Sequence, residues 1–368
     1  MPSTEDYIAA GLYDPSLHAT NGRLDLLNWL DERAFTIDDM VAGLASDSLG
    51  AMAGDRRLVP GERLTRAAAL EISGLDAHVF DGIASSFGFV AIKDAPDGEP
   101  GFTADEVETF AAFGVLFSFF SDAEALGLLR VIGSSIGRLA DASVSMFLSD
   151  IESRLLVDGS SELVLAQQVT DAIGLFDGIA ARLDPILRRQ VLQAIERSRR
   201  ATISYTERFQ YRYAVGFVDL VGFTQISNGM EPPELAAFIR EFEGRALDVV
   251  TAHGARVVKL IGDEVMFAST DPAAACLAAH ALMDGFGTEL ERVVPRGGLA
   301  YGDVLVRGGD YYGSIVNLAS RLVDEAVPQE LLVTQELVDA TPECEFAPAG
   351  RRMVKGFADP VVVQTFTG

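Results

Sequence analysis

The sequence ARVVKLIGDEVMFAS, residues 255–269, contains two short apolar runs separated by Gly262-Asp263. Both runs contain β-branched residues, and a Gly-Asp pair between such runs is typical of a tight hairpin. We therefore predict two neighbouring antiparallel strands over 255–261 and 264–269, with Asp263 in the turn that joins them.

The surrounding sequence extends this hairpin into a larger αβ domain. Residues 233–252 and 273–291 have apolar residues at helical spacing, and further apolar runs occupy 214–219, 297–301, 331–334 and 361–366. The order is strand, helix, strand, strand, helix, strand. This order predicts a ferredoxin-like βαββαβ domain over residues 208–368.

The first half of the chain has a different pattern of apolar residues. Its apolar residues recur mainly at helical spacing, which predicts an all-helical domain over 1–182 and makes the whole chain α+β. Leu183, Leu187, Val191 and Ile195 keep a four-residue step, so we predict a long amphipathic linking helix over 183–207. Its many arginines indicate a solvated face, with a nucleic-acid-binding arm as the alternative.

The overall charge limits the partners of the chain. A formal net charge of −25 at pH 7 disfavours broad binding to nucleic acids or to anionic membranes. A polyphosphate substrate would therefore need metal ions. The apolar run at 110–120 is shorter than the roughly 20 residues that span a bilayer, and it predicts a buried helix.

Two further features concern the cellular compartment. Cys276 and Cys344 are the only cysteines, which gives no disulfide framework and favours a reducing cytoplasm. The amino terminus, MPSTEDYIAAGLYD, has acidic residues where a secretion signal has basic ones. We therefore expect a cytoplasmic protein.

Two carboxylates lie at the ends of predicted strands. Asp219 ends the run AVGFV and precedes a glycine turn, and Asp263 occupies the hairpin turn. If the two strands are neighbours, both carboxylates reach one point, as two hard divalent ions that bridge phosphate oxygens require. Taken singly, each aspartate is more typical of an ordinary cap or turn residue than of a metal ligand.

A lysine and a helical pair complete the candidate chemistry. By alternation, Lys259 shares a strand face with Val257 and Ile261, where an ammonium needs a partner or a ligand unless it simply lies at the sheet edge. Asn317 and Arg321 lie four residues apart on a helix that starts near Gly313-Ser314. An arginine suits the charge that develops on a transferring phosphoryl group, although both residues also suit a solvated helix face.

Three stretches resemble the motifs of class III nucleotidyl cyclases: FVDLVGFT (217–224), VKLIGDEVMF (258–267) and DYYGSIVNLASR (310–321). The resemblance covers residues from about 211 to the end. It implies two Mg²⁺ or Mn²⁺ ions per site, bound by Asp219, Asp263 and the backbone carbonyl of Leu220. It also implies adenine selection by Lys259 and Asp310, ribose orientation by Asn317, transition-state stabilisation by Arg321, and a phosphate contact by Lys355, for which a plain surface lysine is the alternative.

The same resemblance implies an activity and an assembly. Guanine-specific relatives typically have Glu and Cys in place of the Lys and Asp, so the resemblance favours ATP, cyclised to 3′,5′-cyclic AMP and pyrophosphate. In the family, active sites form between two catalytic domains, with the metal carboxylates from one chain and the base, ribose and transition-state residues from the other. The resemblance therefore implies a homodimer with shared active sites.

The helical half is similar to the regulatory domains of soluble mycobacterial adenylyl cyclases, in layout and in the segment LVPGERLTRAAALEISGLD (58–76). That similarity implies autoinhibition and a response to pH or to a fatty acid or other lipid. His18 and His78 are candidate pH sensors, and the run at 110–120 is a candidate lipid pocket, with ordinary surface and core roles as the alternatives.

Other functions remain open from the sequence. A diguanylate cyclase or a guanylyl cyclase is the alternative enzyme, because GGD at 308–310 and GDE at 262–264 echo the diguanylate signature. A DNA-binding regulator is another, since residues 63–89 fit a helix-turn-helix. A third is a catalytically silent nucleotide sensor.

Overall fold

The computed structural model describes residues 2–18, 21–89, 100–147, 160–174, 176–201, 211–284 and 293–368. The chain divides into two compact units, Met1–Leu187 and Arg188–Gly368. The division falls inside the predicted linking helix. In the described part of the chain, no helix is both long enough and apolar enough to cross a membrane.

The first unit is helical, as predicted, with one short antiparallel ladder in addition. The ladder pairs β1 (Leu64–Thr65) with β2 (Pro100–Phe102). The helices are α1 (Thr4–Ala9), α2 (Pro15–His18), α3 (Arg23–Asp31), α4 (Ile37–Ala45), α5 (Met52–Leu58), α6 (Arg66–Ser73), α7 (Ala77–Ser86), α8 (Ala104–Gly114), α9 (Asp122–Phe147), α10 (Glu162–Gly174) and α11 (Phe176–Ala201), the last continuing into the second unit.

Local sequence explains where several of these helices begin. Thr36 and Thr103 each form a capping box with the residue three positions later, so side chains satisfy backbone N–H groups at the starts of α4 and α8. An aromatic cluster then packs α8 against α7, with Phe110 lying edge-on to Phe80 at 5.5 Å between ring centroids.

The predicted buried helix at 110–120 is wrong in its second half. Helix α8 ends at Gly114, and a 3₁₀ turn follows over Val115–Ser118. Phe110 is buried, whereas Phe119 is 77% exposed. At Gly114 a Cβ would lie 2.4 Å from Leu75 Cδ2, so the glycine allows the end of α8 to pack closely on Leu75.

Residues 63–89 do contain two helices joined by a short turn. Gly74, with φ +65°, ends α6, and α7 starts at Ala77. In a DNA-binding motif the second helix enters the major groove and carries basic contacts. Helix α7, AHVFDGIASS, contains no lysine or arginine, and its Asp81 bonds Arg66 of α6. This arrangement argues against DNA binding.

Helix α11 bears out the prediction of a long amphipathic helix. Leu183, Leu187, Val191 and Ile195 are all exposed along it in the single chain. The predicted linking segment lies within α11 as far as Ala201, and residues 202–207 lie outside the described residues.

The second unit is built on a mixed sheet with the strand order β4-β5-β3-β6-β8-β10-β9, and β7 pairs with β6. The strands are β3 (Tyr211–Val221), β4 (Arg256–Ile261), β5 (Glu264–Ser269), β6 (Val294–Arg307), β7 (Asp310–Tyr312), β8 (Leu331–Thr334), β9 (Phe346–Arg352) and β10 (Val361–Phe366). The helices are α12 (Phe223–Ser227), α13 (Pro232–Ala252), α14 (Pro272–Met283), α15 (Ser314–Glu325) and α16 (Gln335–Ala340).

The predicted ferredoxin-like order is confirmed in β3-α13-β4-β5-α14-β6, and residues 285–291 of the predicted second helix lie outside the described residues. Helices α13 and α14 cover one face of the sheet around Phe242 and Phe267, and α15 covers the other. At Gly298 of β6 a Cβ would lie 2.5 Å from the Ala319 carbonyl oxygen, so this glycine allows α15 to approach the sheet closely.

Candidate active site

A cluster of acids lies where β3 ends and the β4–β5 hairpin turns. Asp219 on β3 is paired with Glu264 on β5 and with Arg296 on β6. Gly262, with φ +65°, makes the hairpin turn and places Asp263 beside Asp219. The sheet therefore brings together the two carboxylates that the sequence indicated.

Arg296 partly neutralises this cluster. Its Nε and Nη2 donate to Asp219 Oδ2 at 3.0 and 2.9 Å, and its Nη1 donates to the Asp324 carbonyl at 3.4 Å. The sequence reasoning missed Arg296. Its signal in the sequence was a charged residue directly before the apolar run 297–301. Its partner, Asp219, is evident only from the pairing of β6 with β3.

The pKa values of the acids in this cluster reflect an excess of negative charge. Burial, together with the neighbouring carboxylate of Asp219, raises the pKa of Asp263, and Arg296 opposes the rise. Burial, followed by the charges of Asp219 and Asp324, raises the pKa of Glu264 to about 7. Crowded carboxylates with a single guanidinium among them hold a cation favourably, because it relieves their mutual repulsion.

The donor set fits hard divalent ions. Among the residues that the structure describes, no group of three acid, His or Cys side chains forms a metal site by itself. Asp219 and Asp263 supply two carboxylates. Leu220 follows Asp219 on β3 and adds a backbone carbonyl oxygen to this candidate set. Mg²⁺ is commonly held by one or two carboxylates together with substrate phosphates, which matches this partial set.

Lys259 and Asp310 form a second cluster. Lys259 Nζ donates to Asp310 Oδ2 at 2.7 Å, with the two side chains 41% and 28% exposed. The other carboxylate oxygen of Asp310 accepts the backbone N–H of Tyr311 at 2.8 Å. The structure thus brings together the lysine and the aspartate, although 51 residues separate them in the chain.

The predicted strand face of Lys259 is partly wrong. The pairing of β4 with β5 shifts between Val257 and Lys259, so Val258 is an extra residue in the ladder. Such a bulge reverses the alternation of faces. Lys259 therefore shares a face with Ile261 but not with Val257, which packs against the opposite core.

Asn317 and Arg321 lie on the exposed face of α15. The other face of the helix packs on the sheet through Leu318 and Leu322. Arg321 Nη1 donates to Asp324 Oδ2 at 3.1 Å. Among the described side chains, neither residue hydrogen-bonds the acid cluster or the Lys259–Asp310 pair of its own chain.

Sequence comparisons place this geometry in a family. Residues 206–367 match the profile of the adenylate and guanylate cyclase catalytic domain. An uncharacterised protein of Mycobacterium tuberculosis is 33% identical over 96% of this chain and 91% of its own length. An adenylate cyclase of Streptomyces coelicolor is 32% identical over 62% of this chain and 59% of its own.

The chain belongs to the class III nucleotidyl cyclases. A further relative of this cyclase extends through both units: a pH-sensitive adenylate cyclase of M. tuberculosis is 27% identical over 92% of this chain and 86% of its own length. The family resemblance inferred from the three motifs is thereby confirmed.

The remaining predicted site residue of this cyclase is Lys355, which follows the residues of both clusters in the sequence. Lys355 is exposed in the turn that follows β9. Its role as a phosphate contact stays a prediction.

Proposed function

We propose that this chain is an adenylyl cyclase that converts ATP into 3′,5′-cyclic AMP and pyrophosphate. The observation that carries the proposal is the Lys259–Asp310 pair. Along its Watson–Crick edge adenine presents an amino donor beside a ring-nitrogen acceptor, whereas guanine presents a keto-oxygen acceptor beside a ring N–H donor. An aspartate that accepts from the amino group and a lysine that donates to the ring nitrogen therefore favour adenine. Relatives named adenylate cyclase support the same choice.

The acid cluster would hold two Mg²⁺ or Mn²⁺ ions through Asp219, Asp263 and the Leu220 carbonyl. Ions bound there would neutralise charge on the phosphates and would make the ribose 3′-hydroxyl more acidic. In the reaction the 3′-oxygen bonds the α-phosphorus, the bond from that phosphorus to the α,β-bridging oxygen breaks, pyrophosphate leaves, and the hydroxyl proton passes to solvent.

The remaining candidate residues orient the substrate and stabilise charge. Arg296 lies beside Asp219 and offers guanidinium N–H groups to the polyphosphate. Asn317 would orient the ribose through its amide. Arg321 would donate to the oxygens that gain charge on the attacked phosphorus, and Lys355 would contact the terminal phosphates.

We further propose a homodimer with two shared sites. Arg321 is bonded to Asp324 rather than to Asp219 or Asp263 of its own chain, so a second copy would supply it to those two carboxylates. Exposed apolar side chains beside both clusters support such contact: Ile261 at the hairpin end and Tyr312 on β7 are each 50% exposed. Covering them removes apolar surface from water.

The helical unit would regulate this activity, and we retain 1–182, 183–207 and 208–368 as the proposed domains. His78 Nε2 lies 3.7 Å from Asp122 Oδ2, a contact that protonation strengthens. His18 Nδ1 accepts the Asp14 N–H at 3.0 Å, a bond that protonation removes. Replacing both with glutamine should change how the activity depends on pH. An unchanged profile would eliminate them as the sensor.

Two finer expectations belong to the same proposal. The exposed Phe119 marks the end of the 110–120 run as a place for a fatty acid or other lipid. Free Cys276 and Cys344 support a cytoplasmic enzyme.

Purified full-length protein incubated with Mn²⁺ and either ATP or GTP tests the proposal, with products identified by mass. We expect cyclic AMP and pyrophosphate from ATP, and little cyclisation of GTP. Preferential cyclic GMP or cyclic di-GMP would favour the guanylyl or diguanylate alternative, and no product with either nucleotide would favour the silent sensor.

A further inference from the structure

The bulge in β4 places two cations on one face of the sheet. Arg256 pairs with Ala268 and Lys259 pairs with Met266. Residues three apart on a regular strand point to opposite faces, but the extra residue Val258 restores them to the same face. Arg256 and Lys259 therefore project in the same direction.

Both cations contact consecutive residues of one turn. Arg256 Nη1 donates to the Gly309 carbonyl at 3.3 Å, and Lys259 Nζ donates to Asp310 Oδ2 at 2.7 Å. The turn joins β6 to β7, with Arg307 paired to Asp310 across it.

The turn itself is made of glycines in a left-handed conformation. Gly308 and Gly309 have φ of 60° and 80°, the arrangement of a two-residue hairpin turn. Glycine loses more conformational freedom on ordering than other residues, so a Gly-Gly turn needs contacts on both sides to keep one shape. On the far side Tyr311 is buried and packs edge-on to Tyr213 at 4.8 Å between ring centroids.

We propose that Arg256 is a positioning residue for base recognition: its bond to the Gly309 carbonyl fixes the Gly308-Gly309 turn so that Asp310 faces Lys259. The inference rests on the proposed function and deepens it, since Asp310 and Lys259 are the pair that would distinguish adenine from guanine. Arg256 itself bonds the turn's backbone, so its effect on substrate passes through Asp310.

The bond is solvent-exposed, so it contributes little to the stability of the fold. Its loss would instead let the turn sample other conformations, in which Asp310 no longer meets the amino group in the required order. When a group that orients the substrate is displaced by about 1 Å, the enzyme can lose a large factor in its use of that substrate. The Michaelis constant for ATP and the discrimination between ATP and GTP are the quantities that depend on Arg256.

The test compares Arg256→Gln and Arg256→Lys in the full chain, with KM and kcat measured for ATP and for GTP in Mn²⁺. For Arg256→Gln we expect KM for ATP to rise about tenfold, kcat to stay within about twofold, and the ATP preference in kcat/KM to fall about tenfold. Arg256→Lys keeps a cation and a donor, and it should recover part of both losses.

Arg212→Gln is the matched control. Arg212 is also a strand arginine, and it lies 3.6 Å from Asp303 and over the Tyr301 ring rather than at the turn. It should leave KM and the nucleotide preference unchanged.

Wild-type KM and nucleotide preference in Arg256→Gln would overturn the inference, as would a loss confined to kcat. If Arg256→Gln does not fold, Arg256→Ala decides: an unchanged KM and preference there would overturn the inference too. Absence of cyclic AMP from the unmodified chain would instead refute the proposed function, so the two failures are distinguishable.

Discussion

Replacing Asp310 with alanine should weaken the use of ATP far more than it destabilises the protein. In the free chain the Asp310 carboxylate accepts from Lys259 and from the Tyr311 N–H. With ATP bound, the same carboxylate would accept from the adenine amino group. The substitution therefore removes both a structural ion pair and a recognition contact.

The structure indicates that losing the ion pair has a smaller effect on stability than losing the recognition contact has on the use of ATP. The ion pair is 41% and 28% exposed, and pairs of that kind contribute at most about 1 kcal/mol to the free energy of unfolding. A hydrogen bond to a charged acceptor contributes about 1.5–3 kcal/mol. Since about 1.4 kcal/mol corresponds to a factor of ten, kcat/KM for ATP should fall roughly 10-fold to 150-fold.

Steady-state kinetics with ATP and GTP, together with thermal melting, measure both quantities. Asp303→Ala is the matched control, because Asp303 also faces an arginine, Arg212, at 3.6 Å but lies outside the turn. We expect near-wild-type kinetics for Asp303→Ala. An Asp310→Ala protein with unchanged kcat/KM for ATP, or with a loss of melting temperature large enough to account for its lost activity, would refute the reasoning.

Three further substitutions test other parts of the site and fold. Arg321→Lys keeps the charge but loses the planar fork, so kcat should fall about 100-fold with an unchanged melting temperature; an unaffected kcat would remove Arg321 from the transition state. Because the pKa of Glu264 is raised from 4.5 to about 7, the folded chain binds more protons than the unfolded chain between these values, so metal-free protein should melt at lower temperature as pH rises through them. Glu264→Gln should flatten that dependence in EDTA, and an equally steep curve would contradict the assignment. Gly298→Ala should lower the free energy of unfolding by about 1–3 kcal/mol in urea, since its Cβ would lie 2.5 Å from the Ala319 carbonyl oxygen, whereas Gly244→Ala meets open space and should not.

Much of the catalytic unit could be predicted from the sequence because its signals are local. The Gly262-Asp263 turn between two apolar runs defines a hairpin, and alternating strand and helix patterns define the ferredoxin-like order. Asp219 and Asp263 followed from that order, since neighbouring strands that end together bring their terminal residues together.

The features that escaped prediction depend on pairing between distant residues. The Val258 bulge is a property of the register between β4 and β5, and it reassigned the strand face of Lys259. Arg296 became part of the site only because β6 places it opposite Asp219. The exposure of Phe119 and Phe120 depends on how the end of the 110–120 run packs, which the periodicity of the run does not encode.

The most direct test of the shared-site enzyme is complementation between two inactive chains. Asp219→Ala removes a carboxylate from the acid cluster, and Lys259→Ala removes the base-reading lysine. Each protein alone should make no cyclic AMP. Co-expressed in equal amounts, they should form heterodimers with one intact site and recover about one quarter of wild-type activity, because about half of randomly paired dimers are mixed and each has one of two sites. Two folded, dimeric variants that stay inactive together would contradict a site built from both chains.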